Sequence, residues 1–171
     1  MTDLKNSISI VIPTFNSKDN IYLLCKELLQ VFDKLKIQII VVNDCSQDST
    51  HEECLKLINE HSKELSYIKL SKNVGEHNAV MAGLKYSTGE WVIIMDDDFQ
   101  NPPSEALKLF NYALSNQFDV VYGDYKKKKH NFFKNFISKI NDLSANYILN
   151  KPKGLYLSSF KAINKKTVQK I

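Results

Sequence analysis

Apolar residues along this chain fall into short β-branched runs separated by stretches with helical spacing. Ser9 to Pro13 is the first run and predicts a buried strand. Between Lys18 and Lys36, apolar side chains at Ile21, Leu24, Cys25, Leu28, Leu29 and Phe32 recur at intervals that predict a helix. Ile37 to Val42 is nearly continuous and predicts a second strand. Asp48 or Ser49 can cap a helix that reaches about Leu65. Tyr67 to Leu70 predicts a third strand, Asn78 to Tyr86 a helix ending near Gly89, and Glu90 to Met95 a fourth strand. Pro102 and Pro103 open a further helix running to about Asn116, proline being tolerated in a first turn. Phe118 to Tyr122 predicts a fifth strand.

Strands that alternate with helices, and are apolar on both faces, predict an α/β fold. The expected architecture is a Rossmann-like, mostly parallel sheet with helices on both faces. Ligands of such sheets bind beyond the carboxyl ends of the strands. Three polar segments fall on that rim: Thr14-Phe15-Asn16, Asn43-Asp44-Cys45-Ser46 and Asp96-Asp97-Asp98.

Composition narrows the classes. The 171 residues suit one domain, with 43% hydrophobic and 25% charged residues, as in an ordinary soluble globular protein. The positive charge is all lysine, and the net charge of +4 is too weak to call for nucleic acid. Without arginine, a phosphate site must use lysine, backbone amides or a metal instead of a guanidinium fork. No segment approaches the roughly 20 apolar residues of a membrane span. The first 13 residues lack a signal-peptide layout. Cys25, Cys45 and Cys54 show no metal-ligand spacing and read as reduced thiols of a cytosolic protein.

The run Glu90 to Pro103, EWVIIMDDDFQNPP, ends a buried strand on three aspartates. In extended chain, residues i and i+2 share a side, so Asp96 and Asp98 converge while Asp97 points away. Two converging carboxylates repel unless a proton or a cation intervenes. Mg²⁺ or Mn²⁺ suits such oxygen ligands and leaves positions for diphosphate oxygens. The alternative is a solvated acidic turn whose last carboxylates cap the Pro102 helix. Asp44 offers either an acceptor for a base or ribose donor, or a turn residue; Asp48 and Ser49 are assigned to capping. Ser71-Lys72-Asn73-Val74-Gly75 leads into a helix whose N-terminus favours an anion, and Gly75 permits close backbone approach. The segment is neither GxGxxG nor a P-loop. His77 reads as a structural or surface histidine.

Taken in order, Ile12-Pro13-Thr14-Phe15-Asn16, then Val42-Asn43-Asp44-Cys45-Ser46-Gln47-Asp48-Ser49-Thr50, then Leu70-Ser71-Lys72-Asn73-Val74-Gly75, then Met95-Asp96-Asp97-Asp98-Phe99-Gln100-Asn101-Pro102-Pro103 resemble family 2 glycosyltransferases of the GT-A fold. The stretch from Asp96 to Pro103 is more similar to the branch containing dolichyl- and undecaprenyl-phosphate sugar transferases. The resemblance covers nearly the whole chain. It implies an inverting transfer from a nucleotide-diphospho-sugar donor. By position, Pro13, Phe15, Asn16 and Asp44 belong to the nucleotide site, with Lys72, Asn73 and Gly75 near it. Asp96 and Asp98 correspond to the catalytic Asp-x-Asp pair, Asp98 being the more direct metal ligand. Where the family often has glycine, this chain has Cys45, a less permissive residue for the backbone.

Ser158, Ser159 and Lys161 align with the acceptor side. Several relatives carry Gly-Asp-Phe-Arg there, so the aspartate proposed as a base is absent at Ser159. That fits a polyprenyl-phosphate acceptor, which needs no base, with Lys161 as phosphate partner; it equally fits a base elsewhere, such as Asp124. The acceptor alternatives are a lipid phosphate and a hydroxyl of a growing cell-surface polysaccharide. Lys126 to Lys129 precede Phe132, Phe133, Phe136, Ile137 and Ile140 on one helical stripe. An interfacial helix on an anionic membrane gives a cytoplasmic protein peripheral on the inner face of the cell membrane. The other readings are a core helix or one packing on a second copy in a homo-oligomer. The chain reads as one GT-A domain over residues 1–171, stopping in the first turns of a helix where relatives commonly continue. Two other classes stay open: a non-catalytic nucleotide-sugar-binding protein and a receiver-type α/β domain.

Overall fold

The computed structural model describes residues 7–116, 118–123 and 158–171. Strands β1 (Ser7–Thr14), β2 (Lys36–Asn43), β3 (Leu65–Lys69) and β4 (Trp91–Ile94) are joined by helices α1 (Ile21–Val31), α2 (Thr50–His61) and α3 (Glu76–Lys85). Helix α4 (Pro103–Asn116) then leads to β5 (Val120–Tyr122), and β6 (Lys161–Asn164) runs into the short α5 (Lys165–Val168). The six strands form one sheet in the order β3-β2-β1-β4-β6-β5. β1 to β4 are parallel, while β6 lies antiparallel between β4 and β5.

Strand alternation sends one set of side chains to each face. Ile10, Ile12, Ile39, Val41 and Ile93 pack with Leu24, Leu28, Leu57, Leu109 and Phe110 of α1, α2 and α4. Val11, Ile40, Val42, Val92 and Ile94 pack with Ala79, Val80 and Leu84 of α3. Both faces are therefore covered, as the apolar strands predict. α3 approaches closely because residue 83 is glycine: a Cβ there would stand 2.4 Å from Val11 Cγ1.

Several boundaries differ from the sequence expectation. α1 is shorter than 18–36, because Ser17 O accepts from both Asn20 N and Ile21 N and turns the chain before the helix. Lys36 joins β2 opposite Ser7 instead of ending α1. Leu65, expected to close α2, begins β3 opposite Ile39. β6 has no counterpart in the expectation, which treated Lys161 only as an acceptor-side residue. Its four residues are too few for a period, and its partners β4 and β5 are distant in sequence.

Candidate active site

The loops after β1, β2 and β4 meet at one edge of the sheet. Asn16, Cys45 and Phe99, one in each loop, are the non-glycine residues with left-handed backbone among the described residues, at φ of 54°, 60° and 58°. Such conformations persist where surrounding contacts enforce them and collect at functional sites. Here the contacts are visible. Asn16 N donates to Ser46 Oγ (2.9 Å), and Gln47 N donates to Asn16 Oδ1 (2.8 Å). Ser46 N donates to Asn43 Oδ1 (2.8 Å).

Buried Asp44 ties this edge to the next loop. Its two carboxylate oxygens accept from Val74 N and Gly75 N, both at 2.8 Å, and Gly75 holds a φ of 87° at the start of α3. Asp48 is indeed a cap: Oδ1 accepts from Thr50 N at 3.0 Å, whereas Ser49 makes no side-chain cap bond.

A cavity of about 340 Å³ opens between these loops. Pro13, Thr14, Phe15, Asp44, Asn73, Gly75, Glu76, Asp96, Asp97 and Asp98 line it. Of the expected nucleotide-site residues, Pro13, Phe15, Asp44, Asn73 and Gly75 are thus together. Asn16 braces the rim through its bonds, and Lys72 is exposed and outside the lining set. Phe15 is 46% exposed.

All three aspartates contribute to the lining of the cavity, but the Asp97 carboxylate has other partners than those of Asp96 and Asp98. β4 ends at Ile94, and strict alternation ends with it. Asp97 instead accepts a hydrogen bond from the Thr14 hydroxyl of β1. Burial pushes its carboxyl above the usual carboxylate range, partly offset by that bond. Asp96 Oδ2 accepts from Ser159 Oγ at 2.7 Å, and exposed Asp98 accepts from Gln100 N at 2.9 Å through Oδ1.

Each of Asp96 and Asp98 keeps one carboxylate oxygen without a hydrogen bond from the described residues. Among those residues, no three His, Cys, Asp or Glu side chains gather as a metal-binding group. Two carboxylates with oxygens to spare fit Mg²⁺ or Mn²⁺, which take few protein ligands and fill their shell with phosphate oxygens and water.

A second cavity of about 300 Å³ adjoins the first, lined by Glu76, His77, Val80, Ile94, Ser159 and Lys161. Burial lowers the Lys161 ammonium below the usual lysine range, and Glu76 opposes that shift. Ser158 is buried and its Oγ accepts from Phe160 N, so it shapes the turn into β6 and does not line this cavity. Glu76 lines both cavities but was not singled out from the sequence, where an acid in a first helical turn reads as complementing the helix dipole. Asp124, the Lys126 to Lys129 run and the stripe from Phe132 to Ile140 lie outside the described residues. No helix among the described residues is long and apolar enough to cross a membrane.

The family model for glycosyl transferase family 2 matches residues 9–171. The chain belongs to glycosyl transferase family 2. An undecaprenyl-phosphate 4-deoxy-4-formamido-L-arabinose transferase of Pectobacterium atrosepticum is 34% identical to this family 2 chain over 139 residues, 80% of the chain and 42% of the relative. The transferase of the same description from Salmonella choleraesuis is 31% identical over 151 residues, 87% of the chain and 46% of the relative. The chain therefore spans less than half the length of these curated relatives.

Among solved structures, the mannosyltransferase PcManGT from Pyrobaculum calidifontis, in complex with GDP-Man and Mn²⁺, superimposes with a TM-score of 0.67 at 19% identity, covering 95% of this chain and 46% of that one. Glucosyl-3-phosphoglycerate synthase from Mycobacterium tuberculosis, in complex with Mn²⁺, UDP and phosphoglyceric acid, gives 0.71 at 18% identity, covering 94% and 56%. These likenesses establish the GT-A fold. The family match and the antiparallel β6 both set aside a receiver-type domain.

Proposed function

We propose that residues 1–171 form a single GT-A catalytic domain that transfers a sugar, with inversion, from a nucleotide-diphospho-sugar to a polyprenyl phosphate. The observation that carries this reading is the first cavity, where Asp96 and Asp98 face the same space as Pro13, Phe15, Asp44, Asn73 and Gly75. The names of the relatives, which act on undecaprenyl phosphate, favour a lipid phosphate over a glycan hydroxyl as acceptor.

The residues divide the work along the rim. Phe15 offers an exposed ring face for a nucleobase. Asp44 holds the Val74–Gly75 backbone in place, and each carboxylate oxygen retains a lone pair for a ribose or base donor. Asn73 and Gly75 close the cavity near the nucleotide, with Lys72 beside them and Asn16 bracing the loop. Asp96 and Asp98 would hold Mg²⁺ or Mn²⁺, which supplies positive charge where the departing diphosphate becomes negative. Ser159 fixes the orientation of Asp96 by donating to Oδ2.

Lys161 attracts the acceptor phosphate into the second cavity. A phosphate monoester with a second pKa of roughly 6 is largely dianionic at neutral pH. Its oxygen attacks without surrendering a proton, which accords with a serine at 159. Attack from the side opposite the diphosphate inverts the anomeric carbon. A lipid acceptor calls for a peripheral position at the inner face of a membrane, and the lysines from 126 to 129 support that.

Thermal-shift measurements with UDP, GDP and other nucleoside diphosphates, with and without Mn²⁺, test the donor site. Stabilisation that needs both ligand and metal is expected; indifference to every combination would refute the reading.

A further inference from the structure

The two cavities share a wall, and Glu76 is the side chain that lines both. The neighbouring part of the boundary is the hydrogen bond from Ser159, in the second cavity, to Asp96, in the first. Transfer imposes a geometric condition on this boundary. The anomeric carbon is bonded to a phosphate oxygen on one side and receives the acceptor oxygen from the other. The ring being transferred must therefore lie across the junction.

We propose that Glu76 is a sugar-recognition residue, accepting hydrogen bonds from neighbouring hydroxyl or amino groups of the transferred ring. The assignment rests on the reading of the two cavities given above. A carboxylate has two oxygens with about four lone pairs and no donor, which matches adjacent hydroxyls on a ring. Glu76 accepts no hydrogen bond and makes no ion pair with the described residues, so both oxygens are available. Its neighbours at the junction are otherwise committed: Asp96 to Ser159 and, in the proposed function, to the metal, and Lys161 to the acceptor phosphate. Val80 and Ile94, largely buried in the core, form the apolar floor of the second cavity. Glu76 is exposed, with Asp96 and Lys161 near enough to act on its charge, so a donor group can reach its oxygens from the cavity side. The same negative charge disfavours a uronic acid, whose carboxylate would face a carboxylate. The donor class indicated is a neutral or amino sugar with free adjacent hydroxyls.

Calorimetry with Mn²⁺ tests this on the 171-residue chain, comparing UDP and GDP with UDP-glucose, UDP-N-acetylglucosamine, UDP-glucuronic acid and GDP-mannose. For the neutral sugar nucleotide that wild type binds best, Glu76→Ala should lower the affinity relative to its own bare diphosphate roughly ten- to hundredfold, while diphosphate affinity stays within about twofold. Glu76→Gln, which keeps one acceptor oxygen, should lose less and should narrow the disadvantage of UDP-glucuronic acid. An unchanged ratio in Glu76→Ala, or equal weakening of diphosphate and sugar nucleotide, overturns the assignment and leaves Glu76 a structural residue of α3. Failure of wild type to bind any diphosphate with Mn²⁺ instead overturns the donor-site reading, and this assignment with it.

Discussion

Cys45 leaves β2 with a φ of 60°, where a non-glycine residue bears a cost of roughly 1–2 kcal/mol. Its thiol gives little back, with two weak contacts: it donates to Ser71 O at 3.8 Å and accepts from Gln47 Nε2 at 3.9 Å. Cys45→Gly removes that cost and adds about 0.5–1 kcal/mol of backbone entropy loss on folding, so chemical denaturation should show a net gain of up to about 1.5 kcal/mol. The other two thiols are inert for a different reason. Burial pushes Cys54 up to about 12 and Cys25 higher still, so neither carries appreciable thiolate at pH 8. A disulfide reagent should therefore titrate one thiol in the native chain and three after unfolding. Asp98 is exposed and holds only a local bond to Gln100 N, so Asp98→Ala should leave the melting temperature nearly unchanged while abolishing the Mn²⁺ dependence of diphosphate binding. Undiminished Mn²⁺ dependence in that variant would show the ion is held elsewhere.

At the level of elements, β1, β2 and β4 were legible because their β-branched runs have no competing helical period. The starts of α2 and α4 were legible from Asp48 and the proline pair. The limits of α1 and α2 were not, since Lys36 and Leu65 fit a helix locally and are claimed by pairing with Ser7 and Ile39. The same holds in the site. Asp96 and Asp98 could be located from their place after an apolar strand, whereas the roles of Asp97 and Glu76 depend on Thr14 and Lys161, which only the folded chain brings near. Gly83 shows how tightly α3 seats on the sheet. Gly83→Ala places a methyl group against Val11 and should destabilise the fold by about 1–3 kcal/mol, as overpacking does, with a matching drop in denaturation midpoint.

For the whole molecule, β6 is the piece that joins the halves. It fills the gap between β4 and β5, and its last residue reaches Asp119, through Asn164 N to the carbonyl at 2.9 Å and Asn164 Nδ2 to the carboxylate at 2.5 Å. Removing residues 158–171 would strip β4 of a partner along its whole length and leave β5 without its strand partner. Such a truncated chain should lose cooperative thermal unfolding and donor binding together; a sharp transition in the shortened chain would show that the parallel half folds alone.

Gly123 N donates to Phe160 O at 2.9 Å. That bond brings together two points 37 positions apart in sequence, next to the Ser159–Asp96 contact. Positions 123 and 160 are thus held against each other at this edge of the sheet. A chimera that exchanges residues 124–157 for the corresponding stretch of a relative would begin and end on the same anchored frame.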